Sequence, residues 1–598
     1  MSGDWDWKDI IQGVRKGAAR IDCAKLVNES LLKQGQSTQC AKLLFKDLNY
    51  FSVAKEVLAE FLQNPEEKVD KYGMLLMAYV IETCAKILLL EKAAGASRQA
   101  KDLSQFVSYA LVTKEAVNLH FTCCSYLWAY TWKLEVNGKF VCTGPYKVVE
   151  KLTELLSNSQ HLQIRLQAAG ALWGICGNRG TNAHAQNILH KKGTINTVWE
   201  KLLKLTNSLY TIGGDQSLSS NERKQKINEK EKEGFVLLSL LTAATTLTSN
   251  PSNSPSTLIC KSLVDKYNAT RSLVVILHHA IEWHKTSGQR ITSDRIAKCL
   301  DLLGNIMLVN QKARDVFIKN NGVKFLEHTI SSEKGSSDDV RNSALLTLTY
   351  TCMEDLKCKE VFGNMDIIRT LVKNVINKPK DNAPQHNVLP IKYNSALALS
   401  ALTFKPSNAP NKYNKICKAI QDMIFETGGL ETLEEFLQPI AQYKANKRFY
   451  SLPISTGLRM ATDVVRENKA VQLKMLAKRF ECTICHKVLE EDYGQQVVLM
   501  ALEFLCAMAW NNRKVQEKFL THNIGHFIMS RLMERNEPSL EVQLACARTL
   551  WAISSSSPET RKQLLAQMAR YKKCQRLLAK LHNAVVQNMQ RKRSSSKK

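Results

Sequence analysis

The sequence predicts an all-α solenoid, in which short helical repeats stack along one chain, and three observations support this class. A short sequence phrase recurs, the copies follow a period of about 43 residues, and the composition is typical of helices. The chain has 598 residues, 44% of them hydrophobic, with only 13 prolines and 7% aromatic residues. Repeats at this period bury their apolar faces against their neighbours, which requires several of them in a row.

The recurring phrase begins with Asn, continues through a short helical run to a small-residue break, and ends in a leucine-rich helix. Its clearest copies are NQKARDVFIKNNGVKFLEHTI at 310–330 and NRKVQEKFLTHNIGHFIMSRLM at 512–533. Looser copies end at Leu203 and Leu437, and a fifth begins at Cys358. Because each copy follows a helix of small and aliphatic residues, such as VQLACARTLWAI, the repeating unit is predicted to contain three helices.

The spacing of the break residues supports this interpretation. Gly193 and Gly322 are 129 residues apart, which is three times 43, and Met365 follows after another 43. Gly429 lies 64 residues after Met365 and Gly525 a further 96, which correspond to one and two repeats with insertions. We expect each glycine to end a helix in the left-handed conformation that other residues resist.

These features resemble the armadillo-repeat family, over about residues 146–560. A glycine followed by a short amphipathic helix distinguishes this family from HEAT repeats, so the resemblance implies a right-handed superhelical solenoid of three-helix repeats. Residues 1–140 are interpreted as a helical N-terminal cap or divergent repeats, and residues 561–598 as a basic helix with a disordered tail. Six third helices are predicted, centred on Leu172, Leu303, Leu348, Leu399, Leu505 and Leu550.

In this family the third helices line a concave groove that holds extended partner segments, and the nuclear-import adaptors place Trp and Asn there, four residues apart. The Asn position falls on Gly174, Asn305, Tyr350, Ala401, Ala507 and Ala552. The Trp position falls on Gly170, Asp301, Leu346, Leu397, Glu503 and Arg548. One Asn and no Trp remain, which argues against binding of basic import cargo. Asn305 and Trp173 are predicted as groove residues, although Trp173, Trp510 and Trp551 are also compatible with the core.

The net charge of +28 is concentrated in two segments. Residues 439–480 carry nine Lys or Arg against Asp463 and Glu467, and residues 561–598 carry twelve with no acidic residue. Single-sign blocks of this kind indicate acidic partners. The predicted partner-binding residues in these segments are Lys444, Lys447, Arg448, Lys478, Arg479, Lys572, Lys573 and Arg576.

Two further partner classes stay open on the sequence. Nucleic acid, RNA in particular, would use the same basic patches, although aromatic residues among them are few. Residues 570–593 form a basic amphipathic stripe that suits a calmodulin-like groove or a membrane surface, or that closes the last repeat. The favoured function is a non-enzymatic scaffold that binds acidic segments of other proteins along its concave groove.

The cysteines and the N-terminus bear on location. Seventeen cysteines, an odd number scattered mostly at apolar positions, favour a reducing compartment. The start MSGDWDWKDI lacks the apolar core of a secretory signal, and we expect no apolar stretch to approach the roughly 20 residues of a membrane span. The predicted location is cytoplasmic, with a nuclear or cytoskeleton-associated one left open.

Enzymatic activity and cofactors are not expected, because no phosphate-binding loop, nucleophile elbow or carboxylate pair is present. Cys482, Cys485 and His486 form a Cys-x-x-Cys-His string, but the next Cys or His residues downstream are Cys506, His522 and His526, which do not complete the ligand pairs of a zinc finger. Tetrahedral zinc sites need four ligands, so no metal is assigned there. His278, Glu282 and His284 also lack an identifiable further ligand.

Several connections are predicted from local composition. The turn signal Asn137-Gly138 within 133–145 suggests a short hairpin between the N-terminal region and the array. Polar loops are predicted at 213–234, 249–257, 331–339 and 378–390, because these segments are polar and poor in apolar residues.

Overall fold

The structure is a computed structural model in which every described element is helical. It describes residues 6–16, 19–32, 37–62, 69–177, 182–215, 217–246, 254–287, 290–331, 337–353, 355–376, 385–406, 410–428, 447–489, 493–534, 539–555 and 557–568. Within these ranges there is no strand. The chain divides into two compact units, Met1–Asn320 and Asn321–Lys598.

The first unit contains seventeen α-helices among its described residues, together with a π-helical turn at Leu43–Asp47 and a 3₁₀ turn at Lys92–Ala96. In chain order they are α1 (Trp7–Arg15), α2 (Arg20–Ser30), α3 (Ser37–Lys42), α4 (Tyr50–Leu62), α5 (Lys71–Leu90), α6 (Arg98–Thr113), α7 (Val117–Lys133), α8 (Glu135–Thr143), α9 (Val148–Asn158), α10 (Leu162–Cys176), α11 (Ala183–Lys191), α12 (Thr194–Gly214), α13 (Ser220–Thr245), α14 (Pro255–Tyr267), α15 (Ala269–Ser287), α16 (Arg290–Val309) and α17 (Gln311–Lys319).

The second unit contains fourteen α-helices in its described part and a π-helical turn at Ile484–Leu489. They are α18 (Gly322–Ser331), α19 (Asp338–Cys352), α20 (Leu356–Phe362), α21 (Met365–Ile376), α22 (Gln385–Thr403), α23 (Asn411–Glu426), α24 (Lys447–Val465), α25 (Lys469–Ala477), α26 (Phe480–Thr483), α27 (Gln495–Ala509), α28 (Arg513–Thr521), α29 (Ile524–Glu534), α30 (Leu540–Ser554) and α31 (Pro558–Met568).

Within each unit, the third helix of each repeat packs against the third helix of the next repeat. In the first unit the stack runs through α5, α7, α10, α13 and α16, and in the second unit through α19, α22, α24, α27 and α30. Their buried residues are small and aliphatic, for example Ala168 and Leu172 in α10. The predicted all-α solenoid is therefore confirmed, and all six predicted third helices are present; the right-handed sense of the superhelix stays a prediction.

Two members of the stack that lie within the predicted array, α13 and α24, were not predicted as third helices. The predicted loop at 213–234 is wrong, because α12 continues to Gly214 and α13 begins at Ser220 with a capping box between Ser219 and Glu222. The segment lacks apolar periodicity because its inward positions hold charged residues. Glu231 is buried beside Thr292 and Arg295.

Two other connections also differ from prediction. The hairpin is wrong, since Asn137 and Gly138 lie inside α8, where the Asn137 amide donates to the carbonyls of Gly95 and Tyr130. The predicted loop at 378–390 overlaps α22, which begins at Gln385 and contains Pro390. The predicted loops at 249–257 and 331–339 run into α14, which begins at Pro255, and α19, which begins at Asp338. Residues 249–253, 332–336 and 378–384 of the predicted loops lie outside the described residues.

The left-handed residue between helices is glycine in only some repeats. Gly193 adopts it with φ 70°, as predicted. Beside Gly322 and Gly525 the prediction is wrong, because Asn321 (φ 62°) and Asn523 (φ 56°) take this conformation instead. Asn tolerates positive φ better than other residues with a side chain, because its short amide can hydrogen-bond locally.

A buried polar side chain on the first helix of several repeats caps the end of that repeat's third helix. The last carbonyls of a helix have no intrahelical partner, and here a glutamine amide donates to two of them. Gln472 is fully buried and donates to the carbonyls of Ala507 (2.9 Å) and Trp510 (3.5 Å). Equivalent pairs are Gln186 with Ala243 and Thr246, and Gln421 with Asp463 and Arg466; Gln516 donates to Ala552 O and Ser555 Oγ.

In one repeat a lysine takes the place of this glutamine. The Lys359 ammonium donates to the carbonyls of Ala401 and Phe404, the second at 2.9 Å, and lies 5.6 Å from the centre of the Tyr413 ring. Burial lowers the pKa of Lys359, because removal from water penalises the charged form.

One helix meets the length and composition of a membrane span. Helix α5, Lys71–Leu90, has a mean hydropathy of 1.8 over its most apolar 18 residues. The expectation that no stretch approaches this length is therefore wrong. In the structure 61% of that window is buried, and α5 packs against α2 and α7, an arrangement also typical of a core helix.

The glutamine cap predicts a specific loss of stability. Gln472→Ala removes the donor to two carbonyls and the acceptor for the Asn512 amide at 2.8 Å, so buried polar groups lose their partners. We expect a destabilisation of about 1–3 kcal/mol in urea unfolding followed by circular dichroism. Gln563→Ala, at an exposed position of α31, is the matched control; equal effects of the two substitutions would contradict the capping role.

The lysine cap predicts a dependence of stability on pH. Because the folded pKa of Lys359 lies below its ordinary 10.5, the unfolded chain binds more protons between these two values, and stability rises with pH through that window. Lys359→Gln should keep the capping bonds and abolish this contribution, while Lys418→Gln, at an exposed site of α23, should not. Unfolding midpoints measured from neutral pH to about 10.5 test it; parallel profiles for wild type and Lys359→Gln would refute it.

Candidate partner-binding groove

Two adjoining cavities form a groove along the third helices of the second unit. The first, with a volume of about 440 Å³, is lined by residues of α22, α24 and α27 and includes Tyr393, Arg459 and Met500. The second, of about 340 Å³, lies between α24, α27 and α30 and includes Cys506, Trp510 and Arg548. Arg466 and Glu503 line both cavities, so the groove is continuous over four consecutive third helices.

The capped carbonyl groups identify which residue of each third helix faces this groove. The caps bind the carbonyls of Ala401, Asp463, Ala507 and Ala552. One helical turn before these residues lie Leu397, Arg459, Glu503 and Arg548, and all four line the groove. Because residues four apart share a helix face, each third helix offers an equivalent side chain to the groove. Three of these four are the positions that the family alignment assigned to the groove on α22, α27 and α30.

The groove carries an excess of available positive charge. Arg459 and Arg548 are exposed and form no ion pair with a described residue, while Arg466 lies 3.7 Å from Asp463. Asp463 is buried and accepts a hydrogen bond of 2.5 Å from Ser400. Burial raises the pKa of Asp463, an effect opposed by that bond and by Arg466 and Arg459.

The acidic residues on the surface of the groove are fewer. Glu467 is bound to Lys405 at 2.7 Å, and Glu503 is exposed between the arginines. Burial raises the pKa of Cys506, on the floor of the second cavity, to about 11, which disfavours a thiolate at neutral pH. The groove therefore offers arginine side chains to a ligand, and its Cys506 thiol is held in the protonated form.

Two tryptophans stand exposed at one end of the groove. Trp510 is 39% and Trp551 55% exposed, and their rings lie 5.4 Å apart. The core interpretation is wrong for these two. Exposed aromatic pairs beside arginines are the residues that most often dominate binding energy at protein interfaces.

Trp173, in contrast, is buried in the first unit. It is 7% exposed and packs against Trp128 and Trp132 of α7 and Phe235 of α13, with an edge-to-face contact to Trp132 at 4.7 Å. Among the described residues its surroundings are those of a core aromatic. Its assignment to a groove stays a prediction.

The family positions of the first unit serve helix packing. A Cβ atom at Gly170 would overlap the ring of Trp128, and one at Gly174 would overlap the hydroxyl of Thr131. The two glycines thus allow α10 to approach α7 closely. Asn305 is half-buried, and its amide donates to Thr245 Oγ1 at 3.2 Å and to the Thr242 carbonyl at 3.4 Å, so its amide group is engaged by α13.

The basic residues predicted as partner-binding do not line the groove in the described part of the chain. Lys478 and Arg479 are exposed in the turn between α25 and α26, where Arg479 is left-handed with φ 57°. Lys447 and Arg448 begin α24, but their side chains are outside the described set. Lys444, Lys572, Lys573 and Arg576, with the calmodulin-like stripe at 570–593, also lie outside the described residues. The sequence analysis missed Arg459 and Arg466 because it treated their segment as one basic block.

The Cys-x-x-Cys-His string is divided by the fold. Cys485 is buried and Cys482 is half-buried, and the side chain of His486 is outside the described set. Cys482 instead approaches Glu481 and His522. Burial raises the pKa of the Cys482 thiol, and the neighbouring Glu481 carboxylate raises it further. The side chains of Glu282 and His284 also lie outside the described residues.

Comparison with known proteins supports the fold alone. No family model matches the sequence, and no curated protein matches it. A crystal structure of an engineered protein from a structural genomics consortium is similar over 92% of this chain and 100% of its own, with 13% identity and a TM-score of 0.50. Two further engineered proteins are 14% and 16% identical, cover 48% and 53% of this chain and 96% and 98% of their own, and have TM-scores of 0.36 and 0.35. The class that the fold defines is an all-α helical-repeat protein.

The close approach of α7 and α10 predicts the effect of a single methyl group. Gly170→Ala should destabilise the first unit by about 1–3 kcal/mol, because the methyl group would overlap Trp128. Gly144→Ala is the control, since its nearest neighbours would be at 3.5 Å, an ordinary contact. Thermal unfolding of the two variants tests this, and a Gly170→Ala variant as stable as Gly144→Ala would contradict it.

Proposed function

We propose that this protein is an armadillo-type scaffold, without enzymatic activity, that binds acidic segments of other proteins in the groove of its second unit. The observation that carries the proposal is the continuous groove that contains Arg459, Arg466 and Arg548 and ends at the exposed pair of Trp510 and Trp551. Third helices of consecutive repeats present equivalent positions, so an extended chain can be contacted at regular intervals.

Charge favours an acidic ligand. Arg459 and Arg548 face the groove without a carboxylate partner among the described residues, and a carboxylate on a ligand can accept bidentate hydrogen bonds from either guanidinium. The aromatic pair adds apolar area at one end of the same groove. An acidic segment with an aromatic or large aliphatic residue toward the Trp510 end fits this arrangement.

The test is a direct binding measurement with defined probes. A fluorescein-labelled acidic peptide containing one tryptophan, a neutral peptide of the same length, and a single-stranded RNA of the same net charge are titrated with the full-length protein. The double variant Arg459→Glu/Arg548→Glu should weaken peptide binding by at least about tenfold, which corresponds to about 1.4 kcal/mol. The matched control Lys418→Glu/Lys562→Glu reverses two exposed charges on α23 and α31, outside the groove lining.

The outcomes separate the two partner classes. Peptide binding that is lost in the groove variant and kept in the control supports the proposal. Tighter binding of RNA than of peptide, unchanged in the groove variant, would establish the nucleic-acid alternative and reject the groove. Trp551→Ser, which removes an exposed ring without changing charge, should also weaken the peptide several-fold.

A further inference from the structure

Three potential metal ligands converge on helices that do not line the groove. Glu481 and Cys482 are on the short helix α26, and His522 is the C-terminal capping residue of α28, forty residues later. Their ligand atoms all lie within 4.8 Å of one another. The fold, not local sequence, creates this cluster, because α26 and α28 belong to successive repeats.

The separations fit one tetrahedral ion. Cys482 Sγ is 3.6 Å from Glu481 Oε1 and 3.9 Å from His522 Nδ1, and the last two atoms are 2.9 Å apart. Zinc binds sulfur at about 2.3 Å and imidazole nitrogen or carboxylate oxygen at about 2.0–2.2 Å, so tetrahedral ligand atoms lie roughly 3.4–3.6 Å apart. To admit the ion, the contact between Glu481 and His522 has to lengthen by about half an ångström, and the one between Cys482 and His522 has to shorten by roughly 0.3–0.5 Å.

A second observation points to a missing ligand. The Glu481 side chain is fully buried, and its Oε2 atom has no hydrogen-bond partner. A buried carboxylate oxygen without a donor is strongly unfavourable, because it has lost its water and gained nothing in exchange. A cation bound to this carboxylate would offset the negative charge that the unpaired oxygen leaves uncompensated.

Two contacts in other repeats resemble the link between Glu481 and His522 but lack its full burial and its neighbouring thiol. Glu150 faces Lys192 at 3.6 Å, and Glu327 accepts a hydrogen bond from Asn364 at 2.9 Å, each joining a second helix to a turn of the next repeat. The Glu150 side chain is 34% exposed, so its charge remains hydrated. Among these three links, the one at Glu481 combines full burial with an adjacent thiol and an imidazole.

We propose that Glu481, Cys482 and His522 bind a zinc-class divalent cation that ties two successive repeats of the second unit together. On binding, the Cys482 thiol loses its proton to solvent and coordinates as thiolate, and neutral His522 coordinates through Nδ1. The ion, the thiolate and the carboxylate then sum to zero charge, which removes the electrostatic penalty of burying Glu481. The fourth coordination position is open to a water molecule.

The test uses the full-length protein, stripped with chelator and reloaded with Zn²⁺ or Co²⁺. We expect one equivalent of zinc per chain and, with cobalt, the near-ultraviolet charge-transfer band of a cobalt–thiolate bond. Cys482→Ser should abolish that band, and His522→Gln should weaken affinity at least about tenfold. Cys506→Ser is the matched control, because that thiol lies in the groove, away from the cluster.

Glu481→Gln distinguishes a metal ligand from a structural ion pair. If Glu481 only accepts a hydrogen bond from His522, the neutral amide leaves metal uptake unchanged and relieves a buried charge. If it is a ligand, the variant binds cobalt several-fold more weakly, and zinc no longer raises its unfolding temperature as it does for wild type. Circular dichroism confirms that each variant is folded.

Defined outcomes overturn the proposal. Absence of bound metal in the folded wild-type protein at stoichiometric zinc would reject it. A cobalt–thiolate band that persists in Cys482→Ser, or that is lost in Cys506→Ser, would place the ion at other cysteines and reject this site.

Discussion

The ends of the third helices impose the constraint on which the rest of the structure depends. Each of these helices is packed between neighbours, so its last carbonyl groups cannot all be hydrated and need donors from the protein. A buried Gln or Lys on the first helix of the same repeat meets this need, as Gln472 does for Ala507 and Trp510. The cap fixes where the third helix ends relative to the first helix, and it therefore sets the geometry of the repeat.

The same constraint positions the groove. Because the capped carbonyl belongs to a fixed place on each third helix, the residue one turn earlier has a fixed orientation. In the second unit these residues are Leu397, Arg459, Glu503 and Arg548, and their different side chains give the groove its charge pattern. The scaffold thus separates the parts of the sequence that hold the repeats from those available to select a ligand.

In the first unit, close helix packing occupies the corresponding positions. Gly170 and Gly174 let α10 approach α7, and Trp173 fills the space between α7 and α13. The structural similarity to an engineered protein at 13% identity shows that the helical-repeat fold is kept although most side chains differ. A stack of helices can be kept by small residues and caps while nearly every other side chain changes.

The amino-acid sequence by itself determined the helical class, the period and six of the third helices, because apolar periodicity and turn residues are local signals. It did not reveal α13, whose inward Glu231 is stabilised by Thr292 and Arg295 from α16 rather than by apolar contacts. Only the tertiary structure decided that Trp173 is buried while Trp510 and Trp551 are exposed, since burial depends on which neighbouring helices supply partners. The tertiary structure also brought His522 to Glu481 and Cys482. A contact between residues forty positions apart depends on how the repeats stack, and it leaves no pattern in the chain.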